Sequence, residues 1–318
     1  MIFLLLIAVF LALIIASGEL FIRGAIGISS RLRISSFAIG ASILAIGTAS
    51  PDFFVSGASV LKGYSEVSLG SVIGSGIANI LLCIGLACLI SGIRYEKNDR
   101  GLLFGMRYHF LFLVLMVVSL MFSGGTIGWI LSIFLVFSAG FFIFCTLTME
   151  AFKMEDDEPS TSALNLPLSL IFFGVGIVGL CVFSNYLLEA IVKASEFFTI
   201  PKKVISSLMI GFGNSIPEIV TAVIASLKKR SRVIIGNVVG SNILILGGVL
   251  GVASLFSNII GQKIEIPLPI LTLDLPILTL SGVLFFFSFR IKNHLGKILG
   301  LIFIFLYLLY ILLQINII

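Results

Sequence analysis

The chain is built from long apolar runs, broken at short intervals by small clusters of polar and charged residues. Ten runs stand out, at about 2–29, 36–61, 67–91, 102–122, 126–148, 166–196, 203–227, 232–257, 267–289 and 295–316. Each is long enough to cross a hydrocarbon core of ~30 Å, which needs about 20 apolar residues in a helix. The runs are continuous and do not alternate every second residue, which argues against an outer-membrane barrel. In lipid every backbone amide must find its partner inside the protein, so the pattern predicts an all-α bundle of ten transmembrane helices. Little sequence remains for a soluble domain.

Composition agrees with the pattern. Of 318 residues, 59% are hydrophobic and only 11% charged, and the mean hydropathy is +1.23. The N-terminus lacks a basic segment and carries no charge before Glu19, so it reads as the first span and not as a secretory signal. Cys83, Cys88, Cys145 and Cys181 all fall inside apolar runs, without the CxxC spacing of a metal or redox site, and read as buried free thiols.

The net charge of +5 is explained by its placement. With the N-terminus outside, the inner loops hold fourteen Lys and Arg residues, among them Arg31, Arg94, Arg100, Lys228, Lys229, Arg230 and Arg232. The outer loops hold five: Lys62, Lys193, Lys202, Lys203 and Lys263. That asymmetry sets both termini outside and needs no nucleic-acid partner.

Sliding the chain by 166 residues superposes two stretches without a gap. AIGTASPDFF (45–54) falls on GFGNSIPEIV (211–220), and SEVSLGSVIGSGI (65–77) falls on SRVIIGNVVGSNI (231–243). Gly, Pro and Ser positions recur in one register, and Asp52 recurs as Glu218. Each half holds five spans, so the second half enters the membrane upside down, the inverted repeat of secondary transporters. The division expected is 1–148 for the first repeat, 149–165 for an acidic loop on the inner face, and 166–318 for the second repeat.

Acids at mid-membrane depth are costly and mark function. Asp52 and Glu218 each follow a proline directly, and Pro51 and Pro217 each remove the amide that would cap a carbonyl one turn back, at Gly47 and Gly213. Those oxygens should lie at the partially negative C-terminal end of a half-helix. Thr48, Ser50, Asn214 and Ser215 add hydroxyl and amide oxygens. Carboxylates with such oxygens form a site for a hard cation. Ser75 and Asn79 share one face of the third span, and Gly70, Gly74, Gly76, Gly236 and Gly240 suit close helix approach. Glu19 with Arg23, Glu189 with Lys193, Asp274 near the membrane interface, and His109 and His294 near inner span ends read as helix anchors. An intramembrane enzyme would need a nucleophile–base pair or a motif such as HExxH, and the sequence has neither.

The motifs GTASPD (47–52) and GNSIPE (213–218), followed by GSGIAN (74–79) and GSNILI (240–245), resemble the two alpha-repeats of the sodium/calcium exchangers, in the calcium/cation antiporter superfamily, prokaryotic and archaeal type. The resemblance implies ten helices with broken spans 2, 3, 7 and 8 around a diamond of four ion sites. It implies antiport of Ca²⁺ for Na⁺ at the cell membrane, with no cofactor, driven by spans 1 and 6 sliding together, and a monomer as the working unit. Asp52 and Glu218 match the central acidic ligands. Thr48 and Asn214 match positions that lend carbonyls to the calcium site. Ala45, Ser75, Asn79, Gly211, Ser215 and Ser241 match positions lining the sodium sites. The chain departs from the pattern at Asp52, where Glu is usual, at Ala49 and Asn214, and above all at Ile245. Ile245 is the repeat mate of Asn79, where relatives carry Asp or Asn. Two acids balance one Ca²⁺ or two Na⁺, which leaves exchange of protons for Ca²⁺ by the same fold as the alternative.

Overall fold

The computed structural model describes residues 2–32, 34–61, 65–96, 98–149, 164–197, 215–261, 264–291 and 294–317. Eight helices in it are long and apolar enough to cross a membrane, and two shorter apolar helices, Ser36–Ser50 and Ile216–Leu227, complete the set. Span 1 is Ile2–Leu32 and span 2 covers 36–61. Span 3 covers 65–90, span 4 is Arg100–Phe122 and span 5 is Trp129–Thr148. Span 6 is Leu166–Phe197, span 7 is Ile216–Leu227, span 8 covers 231–259, span 9 covers 270–291 and span 10 is Lys297–Ile317. The acidic loop and the stretch 198–214, with Gly211 and Asn214, lie outside the described residues.

Polar residues at the run boundaries start the helices. Asp99 Oδ1 accepts from the Leu102 amide at 3.0 Å ahead of span 4, and Asn165 Oδ1 accepts from Leu168 at 2.9 Å ahead of span 6. Ser35 does the same for span 2, accepting from Ala38 at 3.2 Å. Each satisfies a first-turn amide that has no helical partner.

The interruptions expected in spans 2, 3 and 8 take a particular form. Each runs on as a helix and widens into a π-turn, at Gly40–Leu44, Asn79–Cys83 and Leu244–Val249. Such turns insert one extra residue and re-aim the side chains that follow. The offset of 166 carries 79–83 onto 245–249, so the repeat extends to this local geometry. Span 9 opens with a fourth π-turn, Ile270–Asp274.

Inversion is visible in the packing. Spans 1 and 6, the first helices of the two halves, lie against each other along most of their length. A methyl group at Gly24 would stand 2.4 Å from the Phe173 amide, and one at Gly176 would stand 2.4 Å from that of Phe21. Further along, Phe10 stacks on Tyr186 at 5.5 Å. Residue numbers rise along one helix as they fall along the other, so the two are antiparallel. Small residues at this seam let the backbones touch, the usual basis of helix association in lipid.

Two short antiparallel strand pairs tie the halves together. β1 (Ile93–Arg94), between spans 3 and 4, pairs with β4 (His294–Leu295), between spans 9 and 10. β2 (Thr126–Ile127), between spans 4 and 5, pairs with β3 (Ile264–Glu265), between spans 8 and 9. The pairs lie at opposite ends of span 4, hence on opposite faces of the bundle. Each joins one strand from each half, as a pseudo-two-fold axis in the membrane plane requires. On the β1 face, Arg232 at the start of span 8 pairs with Asp99 at the start of span 4, at 2.8 Å.

Of the expected anchors, Glu19 pairs with Arg23, and Lys228 also reaches Glu19 at 2.7 Å, linking span 1 to the end of span 7. Lys193 lies 4.0 Å from Glu189, both exposed. One expectation, for His109, is corrected. Asp274, in the first turns of span 9, is turned into the bundle. It is 4% exposed and takes a hydrogen bond from Gln314 of span 10, which also meets the Tyr310 hydroxyl at 3.2 Å. His109 is 1% exposed and sits inside the bundle, midway along span 4. The apolar run is continuous past both residues, and depth along a helix does not reveal which face is turned inward. The four cysteines are free, with Cys181 only half-buried.

Spans 2 and 8 meet at backbone contact. A methyl group at Gly240 would stand 2.3 Å from the Ala41 carbonyl oxygen, and one at Gly236 would stand 2.3 Å from that of Phe37. Gly240→Ala should therefore cost about 1–3 kcal/mol and lower the thermal unfolding temperature of the purified protein. Gly140→Ala, with nothing within 4 Å of the new methyl, should leave that temperature unchanged.

Candidate functional site

The contact between spans 2 and 8 brings the first polar groups together. Thr48 and Asp52 lie one turn apart on span 2 and share a face. Both are buried, at 2% and 1% exposure. Thr48 Oγ1 meets Ser241 Oγ of span 8 at 3.2 Å and lies 3.5 Å from the Ala45 carbonyl oxygen. Ala45, where the π-turn of span 2 returns to an α-helix, thus contributes through its backbone. Ser50 is not part of the cluster. Its hydroxyl bonds back to the Ile46 carbonyl at 2.7 Å, on a side of the helix where Ile46 is exposed.

Span 7 supplies the second acid. Its helix begins at Ile216, with Ser215 at the cap position and Pro217 and Glu218 in the first turn. Glu218 therefore stands at the partially positive N-terminal end of a helix, which favours a carboxylate. The half-helix end expected at the Gly213 carbonyl lies outside the described residues. Glu218 and Ser215 are each 1% exposed. The Thr48 hydroxyl comes near the Glu218 carboxylate without forming a hydrogen bond to it. Among the described residues neither oxygen of Glu218 has a hydrogen bond, and the hydroxyls of Ser75 and Ser215 have none. Thr48 thus ties Asp52 on its own helix, Glu218 on span 7 and Ser241 on span 8 into one cluster.

Span 3 borders it with Ser75 and Asn79, which are 1% and 0% exposed. Asn79 opens the π-turn, and its Nδ2 donates to Asn242 Oδ1 of span 8 at 3.0 Å. Asn242 Nδ2 in turn donates to the Gly76 carbonyl at 3.2 Å and meets His109 Nε2 at 3.3 Å. Sequence reasoning singled out neither Asn242 nor the inward side of His109. The repeat could not flag Asn242, because its mate is Gly76. Its only signal was an amide inside the apolar stretch GSNILI. Ile245 is fully buried within the π-turn of span 8. Asn214 and Gly211 lie outside the described residues.

The chemistry of this set is narrow. Its donors are carboxylate, hydroxyl, amide and backbone oxygens. Among the described residues no cluster of three His, Cys, Asp or Glu side chains exists to hold a transition metal. Hard cations of the Na⁺ and Ca²⁺ kind fit such a set.

Comparison with known proteins meets this geometry. The family model described as sodium/calcium exchanger protein matches residues 2–148 and 168–316. The chain belongs to the sodium/calcium exchanger family. An uncharacterized membrane protein of Methanocaldococcus jannaschii is 26% identical over 299 residues, covering 94% of this chain and 93% of its own. The sodium/calcium exchanger MaX1 of Methanosarcina acetivorans is 24% identical over 285 residues, 77% of this chain and 81% of its own. A solved structure of the sodium–calcium exchanger NCX_Mj, soaked with Na⁺ and Sr²⁺, superposes with a TM-score of 0.82 at 26% identity, over 98% of this chain and 97% of that one. The protein is a multi-pass membrane exchanger for inorganic cations and not an enzyme.

The Thr48–Ser241 contact joins the two repeats and can be tested without transport. Thr48→Val and Ser241→Ala should each cost about 1 kcal/mol of stability. The double variant should cost less than the sum of the two. Denaturation of the four purified proteins measures the coupling.

Proposed function

We propose that the protein exchanges Ca²⁺ for Na⁺ by alternating access, with Asp52 and Glu218 as its charged ligands. Thr48, Ser75, Asn79, Ser215 and Ser241, with backbone oxygens at Ala45 and Thr48, complete the cluster, as do Asn214 and Gly211 by position. The observation that carries this reading is the burial of two acids at repeat-equivalent positions, while no Lys or Arg side chain is buried among the described residues. A buried carboxylate without a cation is costly. Two of them match the charge of one Ca²⁺ or two Na⁺, so either cargo neutralises the cluster and the two compete for it. Competition at one site is what couples opposite fluxes. The names of MaX1 and NCX_Mj support the same ion pair.

The matched segments 2–148 and 168–316 support division of the chain into two repeats at the loop 149–165. The basic inner loops support a cell-membrane orientation with both termini outside and that loop inside. Both acids come from one chain, which supports a monomer as the transport unit. A second reading, exchange of protons for Ca²⁺, is favoured by Ile245. This side chain offers no oxygen where its repeat mate Asn79 does, so the cluster holds only two acids.

Proteoliposomes loaded with Na⁺ and diluted into Na⁺-free buffer should take up Ca²⁺. Uptake driven by a pH gradient alone, with no response to Na⁺, would establish the proton reading instead. Glu218→Gln and Asp52→Asn should each abolish Ca²⁺ uptake while the protein still inserts and purifies normally. Normal flux in either variant removes that residue from the site. Ile245→Asp should add a third acid and change the number of Na⁺ moved per Ca²⁺, read from the reversal potential of the flux. A loss of expression with no change in stoichiometry places Ile245 in ordinary helix packing.

A further inference from the structure

The polar chain beside the cluster has a direction built into it. Asn242 and Gly76 are repeat mates at the offset of 166, and they touch: Asn242 Nδ2 donates to the Gly76 carbonyl at 3.2 Å. Mates in contact must straddle the pseudo-two-fold axis. Only one of the two carries a side chain there, so the amide lies across the axis alone.

A carbonyl oxygen can only accept. The Gly76 carbonyl therefore fixes which end of the Asn242 amide is nitrogen. The second hydrogen of that nitrogen points to His109 Nε2 at 3.3 Å, so Nε2 accepts and the ring proton of His109 sits on Nδ1. With both hydrogens placed, Asn242 Oδ1 is left for Asn79, which must meet it with Nδ2, as it does at 3.0 Å. The remaining end of the Asn79 amide is then oxygen. Asn79 Oδ1 faces the thiol of Cys83, one turn on, at 4.0 Å, a weak contact, and it is this thiol that lies within electrostatic reach of Glu218. Every amide orientation follows from one backbone oxygen and needs no assumption about the amides themselves.

We propose that Asn242, held by the Gly76 carbonyl and His109, is a positioning residue that turns the oxygen of Asn79 toward the cation cluster. This inference rests on the reading of Asn79 as a cation ligand. An asparagine free to rotate would offer its NH₂ group to a cation half the time, which repels it. The relay removes that state. It also accounts for why an asparagine serves on this flank with no acid opposite it at position 245.

The test is uptake of Ca²⁺ alone as cargo, measured with the full-length protein in Na⁺-loaded proteoliposomes. Asn242→Leu should raise the apparent KM for Ca²⁺ about ten- to a hundredfold, the usual range for losing a group that orients a metal ligand, with the maximal rate largely kept. The effect should disappear in an Asn79→Asp background, because a carboxylate presents oxygen whichever way it turns. His109→Leu should raise KM, and His109→Gln, which keeps an acceptor, should raise it less. These two variants carry the test if Asn242→Leu does not insert. Equal shifts for Asn242→Leu in the two backgrounds, or equal shifts for the two His109 variants, overturn the relay. If Asn79→Ala raises KM and Asn242→Leu does not, the relay alone fails. If Asn79→Ala has no effect, the ligand reading of Asn79 fails and the relay with it.

Discussion

The architecture answers to one constraint: two carboxylates, Asp52 and Glu218, are held in the interior of a bundle that sits in hydrocarbon, each about 1% exposed. Lipid offers no water to solvate them, and no basic side chain is buried with them among the described residues. The structure surrounds them with dipoles instead of charges. Glu218 is set at the start of a helix, and Thr48, one turn before Asp52 on the same face, meets the Ser241 hydroxyl. Partial charges of this kind soften the cost of burial without cancelling it. An interior that neutralised both acids with lysines would be more comfortable and would have no reason to take up a cation.

Close helix approach follows from the same constraint. Hydroxyls and carbonyls reach the cluster only if backbones come together, and Gly236 and Gly240 bring span 8 against span 2. The π-turns do related work. Three of the four described occur in spans 2, 3 and 8, which border the cluster, and Ala45 and Asn79 stand at the edges of two of them. A strict α-helix repeats its faces every turn, and a π-turn breaks that rule where a side chain must look elsewhere.

Much of this is legible in the linear chain. The ten apolar runs, the offset of 166 residues and the acids following Pro51 and Pro217 are one-dimensional signals. Their physical causes, bilayer thickness and the cost of buried charge, leave marks on a linear sequence. The π-turns leave none, because they depend on how three helices meet. The inward placement of His109 and Asp274 is equally silent. Each lies in a helix whose lipid-facing side is as apolar as its inner side, so no periodicity marks the inner face. Asn242 escapes notice for a different reason. Symmetry is the guide to the other ligands, and Asn242 sits where symmetry must fail, since two side chains cannot share an axis.

The strand pairs have a mechanical consequence. β1 with β4 and β2 with β3 staple the loops next to spans 3, 4, 5, 8, 9 and 10, at both faces. Among the described residues neither strap includes a loop adjoining span 1 or span 6. The six stapled helices are thus tied to one another at both faces of the bundle, while spans 1 and 6, lying antiparallel with glycines at their seam, meet the rest through side-chain contacts such as the Glu19–Lys228 ion pair.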